Sequence, residues 1–512
     1  MTTMAQAKQT VGAGTWIGFA AMCLGMFMAV LDIQVVATSL PAISTALAIP
    51  TDQMSWVQTA YLIAEVIAIA LTGALTRALG MRRLFALAVG SFTLASLACA
   101  LSGGFASLIA ARVAQGFTGG MLIPLVFSSV FILFPYRVQG PATTLAGMLA
   151  VLAPVVGPVV GGWITQSTSW HWLFLINVAP GILACALGLA MLAREKVDTA
   201  LLRGLDLAGL VLIAGALAAL EIGLKEAPQR GWLSVPVAGL IGLSLAAALV
   251  FLYRMATAPS PLLRPGAFRA PGYALGCALS FLFGAGLYGS VYLMPVFLAL
   301  VRGKAPLAIG LVMLVTGLTQ LTTSPVAVAL ERRLPAKALT LCGFVLFGAG
   351  LALSCFATVD TDFDGMFWPQ VVRGAAIMLC LLPPTRLALG NLPPQEVPDA
   401  SAVFNLMRNL GGAIGIALVD TVIFGRAPIH AEALKARLLA GDATAAATIG
   451  LPPDALNGPV TQPVDPALEA MVRPLIKAAA LTQAINEAWA LLALLAGLGA
   501  LLALWMPRGQ QK

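Results

Sequence analysis

Residues 16–41 read WIGFAAMCLGMFMAVLDIQVVATSLP. Up to Ser39 the run carries one charge, Asp32, and it is long enough to cross a bilayer as a helix. A carboxylate in hydrocarbon is costly and by default marks a functional site. The cheapest way to keep Asp32 there is to let it take up and release a proton. A second charge inside an apolar run, Arg112, suggests the group beside which it does so.

The rest of the chain repeats the apolar theme. Of 512 residues, 60% are hydrophobic and 10% are charged, where a soluble domain carries about 25% charged residues. Fourteen candidate spans lie near 16–40, 54–76, 84–102, 105–133, 142–166, 172–193, 205–224, 234–253, 272–300, 307–330, 338–358, 365–389, 401–425 and 484–506. The expectation is an all-α polytopic membrane protein. Met1 to Thr15 is short and polar, so the first apolar run is expected to stay as a helix, not to be cleaved. The seven cysteines fall in apolar runs and read as small core residues.

Lysines and arginines orient the spans. With the N-terminus inside, the inner segments hold sixteen basic residues, among them Lys8, Arg82, Arg83, Arg332, Arg333, Arg508 and Lys512. The short outer loops hold four: Lys225, Arg230, Arg302 and Lys304. Positive-inside bias therefore puts both termini in the cytoplasm. The net charge of +8 is explained by these positions and does not call for nucleic acid.

Weak repeats run through the chain in order. Arg82-Arg83 recur as Arg332-Arg333, 250 residues on; Arg112-Val-Ala-Gln115-Gly116 is echoed by Gln370-Val-Val-Arg373-Gly374 at 258; Gly157 and Gly161 recur as Gly411 and Gly415 at 254. Two homologous six-helix halves follow, with spans seven and eight between them: residues 1–195, 196–260 and 261–512. Repeated halves with a site near the midplane form a transporter architecture, in which one half rocks against the other.

These residues resemble the fourteen-helix drug:proton antiporters of the major facilitator superfamily, of the EmrB/QacA type. Leu31-Asp32 through Leu40-Pro41 resembles the first-helix motif, with Gln34 and Ala37 in place of its usual Thr and Asn. Arg112 to Gly116 resembles the fourth-helix motif, and Pro154-Val-Val-Gly157-Pro158-Val-Val-Gly161-Gly162 the fifth-helix motif that marks exporters. Trp170 to Asn177 and Phe404 to Gly412 extend the likeness into the sixth helix and the second half. In the loop Gly73-Ala-Leu-Thr-Arg77-Ala-Leu-Gly80-Met-Arg82-Arg83, Arg77 stands where the superfamily places Asp, as in the Gram-negative EmrB branch. The resemblance implies that this region latches the cytoplasmic gate, so here the latch must differ.

Helix rise of about 1.5 Å per residue puts Asp32 and Arg112 at a shared depth in the outer half. The expectation is that Asp32 carries the proton and Arg112 sets its affinity. Moving Arg112, or admitting a cationic substrate, would switch Asp32 between its two states. The plainer reading is a fixed ion pair tying helices one and four. Glu65, near the middle of span two, is a second proton-coupling candidate or a bond to a neighbouring helix. Gln34, Gln115, Asp420 and Arg408 are candidates for the substrate cavity or cation path. Arg373 and Arg408 also read as helix-contact or cavity-lining residues. Glu221 reads as a surface partner of Lys225 at a helix end. His171, between two tryptophans, reads as an interfacial anchor.

Gly157 and Gly161 are spaced for close helix approach, and Pro154 and Pro158 remove backbone donors. The expectation is a bent, tightly packed helix at the interface of the halves, sealed against proton leak. Gly73, Gly80, Arg82, Arg83 and Gly162 complete the gating and packing set. Eighteen Met and 22 Phe suit adaptable apolar cavity walls or lipid-facing surface. The outer segment 426–483 has helical ends and a Gly/Pro-rich middle from Gly450 to Pro463. It reads as a hairpin-like projection or a linker, and the EmrB resemblance implies a periplasmic membrane-fusion adaptor and an outer-membrane channel as partners.

No phosphate-binding loop of the GxxxxGK[ST] type occurs, which disfavours ATP-driven transport. Two histidines and scattered carboxylates make no catalytic cluster, so an enzyme is not expected. The functional expectation is a proton-coupled exporter of hydrophobic or cationic compounds in the cytoplasmic (inner) membrane, with no cofactor beyond the proton. Its partners are small hydrophobic substrates and the lipid bilayer. A secondary transporter of an endogenous metabolite, such as a fatty acid or siderophore, and a non-transporting sensor are the alternatives.

Overall fold

The computed structural model describes residues 11–49, 53–451 and 466–507. Lys8, Arg508 and Lys512, and most of the Gly450–Pro463 stretch, lie outside the described residues. Fourteen helices among the described residues are long and apolar enough to cross a membrane. They are α1 (Ala13–Ala46), α2 (Trp56–Leu79), α3 (Met81–Ala100), α4 (Phe105–Leu133), α5 (Tyr136–Ser167), α6 (Trp172–Met191) and α7 (Leu207–Arg230). Then come α8 (Val235–Thr257), α9 (Tyr273–Leu300), α10 (Pro306–Glu331), α11 (Ala336–Leu353), α12 (Phe363–Leu389), α13 (Val397–Leu439) and α14 (Pro466–Ala503). In hydrocarbon a helix satisfies its backbone groups within itself, which is why such runs form helices. An even number of crossings brings both ends of the chain to one face of the bundle, the termini face.

Packing repeats with the sequence. In the first half α1 packs on α4, α5 and α6, while α4 packs on α2 and α3. In the second half α9 packs on α12, α13 and α14, while α12 packs on α10 and α11. Across the two halves α5 meets α10 and α12, and α13 meets α2 and α4. These two seams are equivalents under the internal repeat. The fold is two six-helix bundles, each with its own apolar core. The pair α7–α8 docks beside the α2–α13 seam, where Ile213, Leu217 and Phe251 meet Ile69, Ala70 and Leu406.

Glycines set the closest approaches. Gly116 of α4 lies against the Tyr61 carbonyl of α2, and its repeat partner Gly374 lies against the Thr316 carbonyl of α10. A side chain at Gly374 would meet that oxygen at 2.6 Å, so the approach requires glycine. Gly80, between α2 and α3, has φ +80°, the left-handed region that only glycine enters cheaply.

Several expectations change. Helix α1 runs on through Pro41 to Ala46 instead of stopping there. Helix α7 continues to Arg230, so Glu221 sits inside it, not at its end. Lys225 lies over the Trp56 ring at 4.3 Å, and the i,i+4 surface pair is Glu226 with Arg230 at 2.6 Å. Helices α13 and α14 extend well beyond the bilayer: 43 residues span roughly 64 Å against about 30 Å of hydrocarbon. The glycine face of α5 also turns the other way. Gly157 packs on Gln34 of α1, in the same half, as Gly411 and Gly415 pack on α9. It is Val155 and Val159 of α5 that face the other half, where α10 supplies Gly317 and Gly310.

Candidate functional site

Asp32 is the hub of a buried network. Its neighbours come from α4 and α6. The Arg112 guanidinium pairs with Asp32 Oδ2, and both side chains are fully buried. Gln115, one turn along α4, donates to Asp32 Oδ1 at 2.9 Å and to Ser96 Oγ at 2.9 Å. Asn177 donates to the same Oδ1 at 2.8 Å. Arg112 is held in turn: its Nε donates to the Val57 carbonyl at 3.0 Å and its Nη1 to Gln115 Oε1 at 2.6 Å. Its guanidinium lies 4.3 Å from the centre of the Tyr61 ring, a cation–π contact. Tyr61 itself donates to the Ala29 carbonyl at 3.1 Å. One guanidinium nitrogen, Nη2, has no hydrogen-bond partner among the described residues.

The shared depth expected of Asp32 and Arg112 is therefore a direct ion pair. Gln115, expected in the cavity, instead orients that pair. Asn177 and Ser96 are the residues that sequence reasoning passed over. An Asn at a helix start usually caps the helix with its own side chain. Here α6 breaks at Ile176–Asn177, and the side chain makes no cap but turns to Asp32. Chemically, two neutral donors and one cation hold the carboxylate. Protonation of Asp32 would weaken its tie to Arg112 and leave the amide bonds to hold its place.

The other candidates spread along the two seams. At the termini face Arg77 of α2 pairs with Asp399 of α13, across the halves, and also donates to the Leu262 carbonyl at 3.4 Å. Gly73 provides the gap for Asp399, whose Cα would stand 2.8 Å from a side chain there. The superfamily's acidic position is thus basic here, and the acid sits on the opposite half. At the equivalent seam Arg386 pairs with Glu331 at 3.0 Å and covers the Tyr136 ring of α5 at 4.3 Å. Nearby, the Met81 amide donates to Glu195, and Arg82 donates to the Leu189 carbonyl, while Arg83 is exposed. Side-chain contacts at the termini face thus bridge both seams.

Glu65 is buried on α2, where its backbone packs closely on Gly120 of α4. Asp420 accepts from Tyr292 of α9 at 2.7 Å. Arg408 is buried, bonds to Asn405 and lies 4.9 Å from the Phe127 ring of α4. It lines a midplane cavity with Val30, Ile123 and Tyr288. Gln34, half-buried, rests its Cβ on Gly157, and Gly161 accepts from Ser39 at 3.5 Å. His171 stacks on Trp170 at 4.0 Å and is exposed.

The Major Facilitator Superfamily model matches residues 22–416. The chain belongs to this superfamily. It is similar to the colistin resistance protein EmrB of Acinetobacter baumannii, 37% identical over 81% of each chain. It is also similar to a probable multidrug resistance protein, EmrY of Escherichia coli, 31% identical over 83% of this chain and 84% of the relative. Among solved structures, the proton:xylose symporter XylE superposes with a TM-score of 0.58 at 13% identity, over 97% of each chain. That likeness concerns the fold alone. This superfamily member is a multi-pass membrane transporter and not an enzyme.

Proposed function

We propose that the protein exports hydrophobic or cationic compounds across the cytoplasmic membrane in exchange for protons, with both termini in the cytoplasm. The observation that carries this reading is the Asp32 network: a fully buried carboxylate held by Arg112, Gln115 and Asn177 in a two-half transporter fold. Intramembrane ionisable groups held by partners of this kind mark proton relays. The relatives' names, which speak of drug resistance, support export over uptake. The excess of Lys and Arg on the termini face supports the orientation.

In this reading the halves rock about the midplane. Protonation of Asp32 frees Arg112 in one state, and release of the proton restores the pair in the other. Arg77–Asp399 and the Arg386–Glu331–Tyr136 group hold the cytoplasmic side shut and must part when it opens. The projecting ends of α13 and α14 present a surface to a periplasmic adaptor, through which substrate would pass to an outer-membrane channel.

The test is flux in proteoliposomes. Under an imposed pH gradient, a lipophilic dye such as Nile red should move against its own gradient with the wild-type protein and not with Asp32→Asn. Equal movement by both would end the proton-relay reading.

A further inference from the structure

The internal repeat pairs the Arg112 region of α4 with the Arg373 region of α12, but the two are chemically unlike. Arg112 has Asp32. Arg373 is buried too, at 4% exposure, and makes no ion pair among the described residues. It lines a narrow cavity between α5 and the second half. Around it stand Ser290 of α9, Thr316 of α10 and Gln370 of α12, with Met294, Met313 and Val151 as apolar wall. Behind it lies the Trp489 ring of α14, 5.3 Å from the guanidinium carbon.

Hydrogen bonding in this cavity is lopsided. Gln370 Oε1 is taken by the Thr316 hydroxyl at 3.0 Å. That leaves Gln370 Nε2 and Arg373 Nη1, both buried and both without a hydrogen-bond partner among the described residues. Each is a donor. An acceptor is what the site lacks, and beside a guanidinium the fitting acceptor is an anion. No carboxylate lines this cavity among the described residues, and Asp420 and Glu487 on the neighbouring helices are engaged with Tyr292 and Arg426. A second buried arginine, Arg408, lines the adjoining cavity, which shares Val151 and Leu287 with this one. An uncompensated buried charge is costly, and a ligand that supplies the opposite charge removes that cost.

We propose that Arg373 and Gln370 form the anion-binding end of a substrate subsite in the second half. It takes the carboxylate of an amphipathic monoanion whose apolar tail lies along Val151, Leu287, Met294 and Met313. This rests on the transport reading and adds a substrate class to it.

The test uses three probes with one tail and different heads: dodecanoate, dodecyltrimethylammonium and 1-dodecanol. Binding is read by scintillation proximity on purified protein in phosphatidylcholine nanodiscs, with no pH gradient. Dodecanoate should bind the wild type, and Arg373→Gln should weaken it by about tenfold or more, the worth of a charge-assisted pair. The other two probes should stay within about twofold, as the apolar wall is untouched. Gln370→Glu keeps the cavity's size and gives Arg373 an internal partner; it should also expel dodecanoate, and it decides the matter if Arg373→Gln fails to fold. Repeating the assay with phosphatidylglycerol in the disc identifies the source of the anion: a resident anionic lipid lowers dodecanoate binding, a transported amphiphile does not, and either result keeps the anion site. Dodecanoate binding that is absent, or equal in wild type and variants, or lost together with dodecanol, overturns the proposal. Dye flux under a pH gradient is measured separately, so failure of transport and failure of this site are told apart.

Discussion

At the scale of single residues, Asp32 and Arg112 depend on each other. Removing one member of a buried ion pair costs about 3–5 kcal/mol, because it strands the other charge. Arg112→Leu should therefore lower the melting temperature of the detergent-solubilised protein far more than Asp32→Asn/Arg112→Gln, which removes both charges and keeps amide partners. Equal losses would mean that the pair contributes nothing to the fold. Asn177→Ala removes one neutral donor and should cost about 1 kcal/mol in the same assay. Asp32 and Arg112 were legible in sequence because a charge in an apolar run stands out. Asn177 and Ser96 were not, since a polar residue at a helix start or a serine in a helix ordinarily bonds to its own backbone. Arg373 was visible, but whether a buried arginine has a counter-ion depends on distant helices, and no local pattern records that.

At the scale of elements, the seam between α2 and α13 is held by a charge arrangement that can be reversed. Arg77→Asp places two acids together at the termini face, and Asp399→Arg alone places two bases there. Each should force α2 and α13 apart, whereas the double exchange should close them again. Spin labels at the exposed Arg83 and Gln395 would report this as a longer distance in each single variant and a wild-type distance in the double. A preference of about 5.5 kcal/mol inverts a two-state population, and loss of a buried pair is of that order. If the singles keep the wild-type distance, the pair does not latch this face. The family resemblance marked Arg77 as standing where an acid is usual; that an acid faces it across the seam at Asp399 depends on a distant helix and was not legible. The turn of the α5 glycines toward α1 was hidden for a related reason: glycine spacing names a close approach but not the partner.

A smaller element-scale prediction concerns the loops at the opposite face. Lys304 donates to Asp362 at 2.7 Å and holds its carboxyl below the usual carboxylate range. A depressed folded-state pKa stabilises above the unfolded value, and that stability is lost as pH falls through the folded value. The melting temperature of Asp362→Asn should therefore fall below that of the wild type at neutral pH and converge with it in acid. The effect should be small, because the group is exposed and solvent screens it.

At the scale of the whole molecule, fourteen crossings and two halves were readable because hydropathy, charge bias and offset repeats agree. The segment between α13 and α14 was readable only in part: its helical ends were expected, but not that they continue α13 and α14 without a break. Those extensions have a core of their own, in which Leu434 and Leu438 pack against Ala445, Ala446, Ile449, Ala479 and Ala480. At their base Arg426 and His430 both reach Glu487. A linker with no task would need neither a core nor a clamp, so the projection is built to hold a shape. Deleting residues 441–465 keeps α13, α14 and the Glu487 clamp and takes Ala445, Ala446 and Ile449 out of the small core. Proteoliposome flux, which needs no partner, should be unchanged by this deletion. In cells with an intact outer membrane, release of the same dye to the medium should fall several-fold if the tip seats an adaptor. Flux lost in liposomes would make the tip part of the pump. Full release in cells despite the deletion would leave the projection without a docking role.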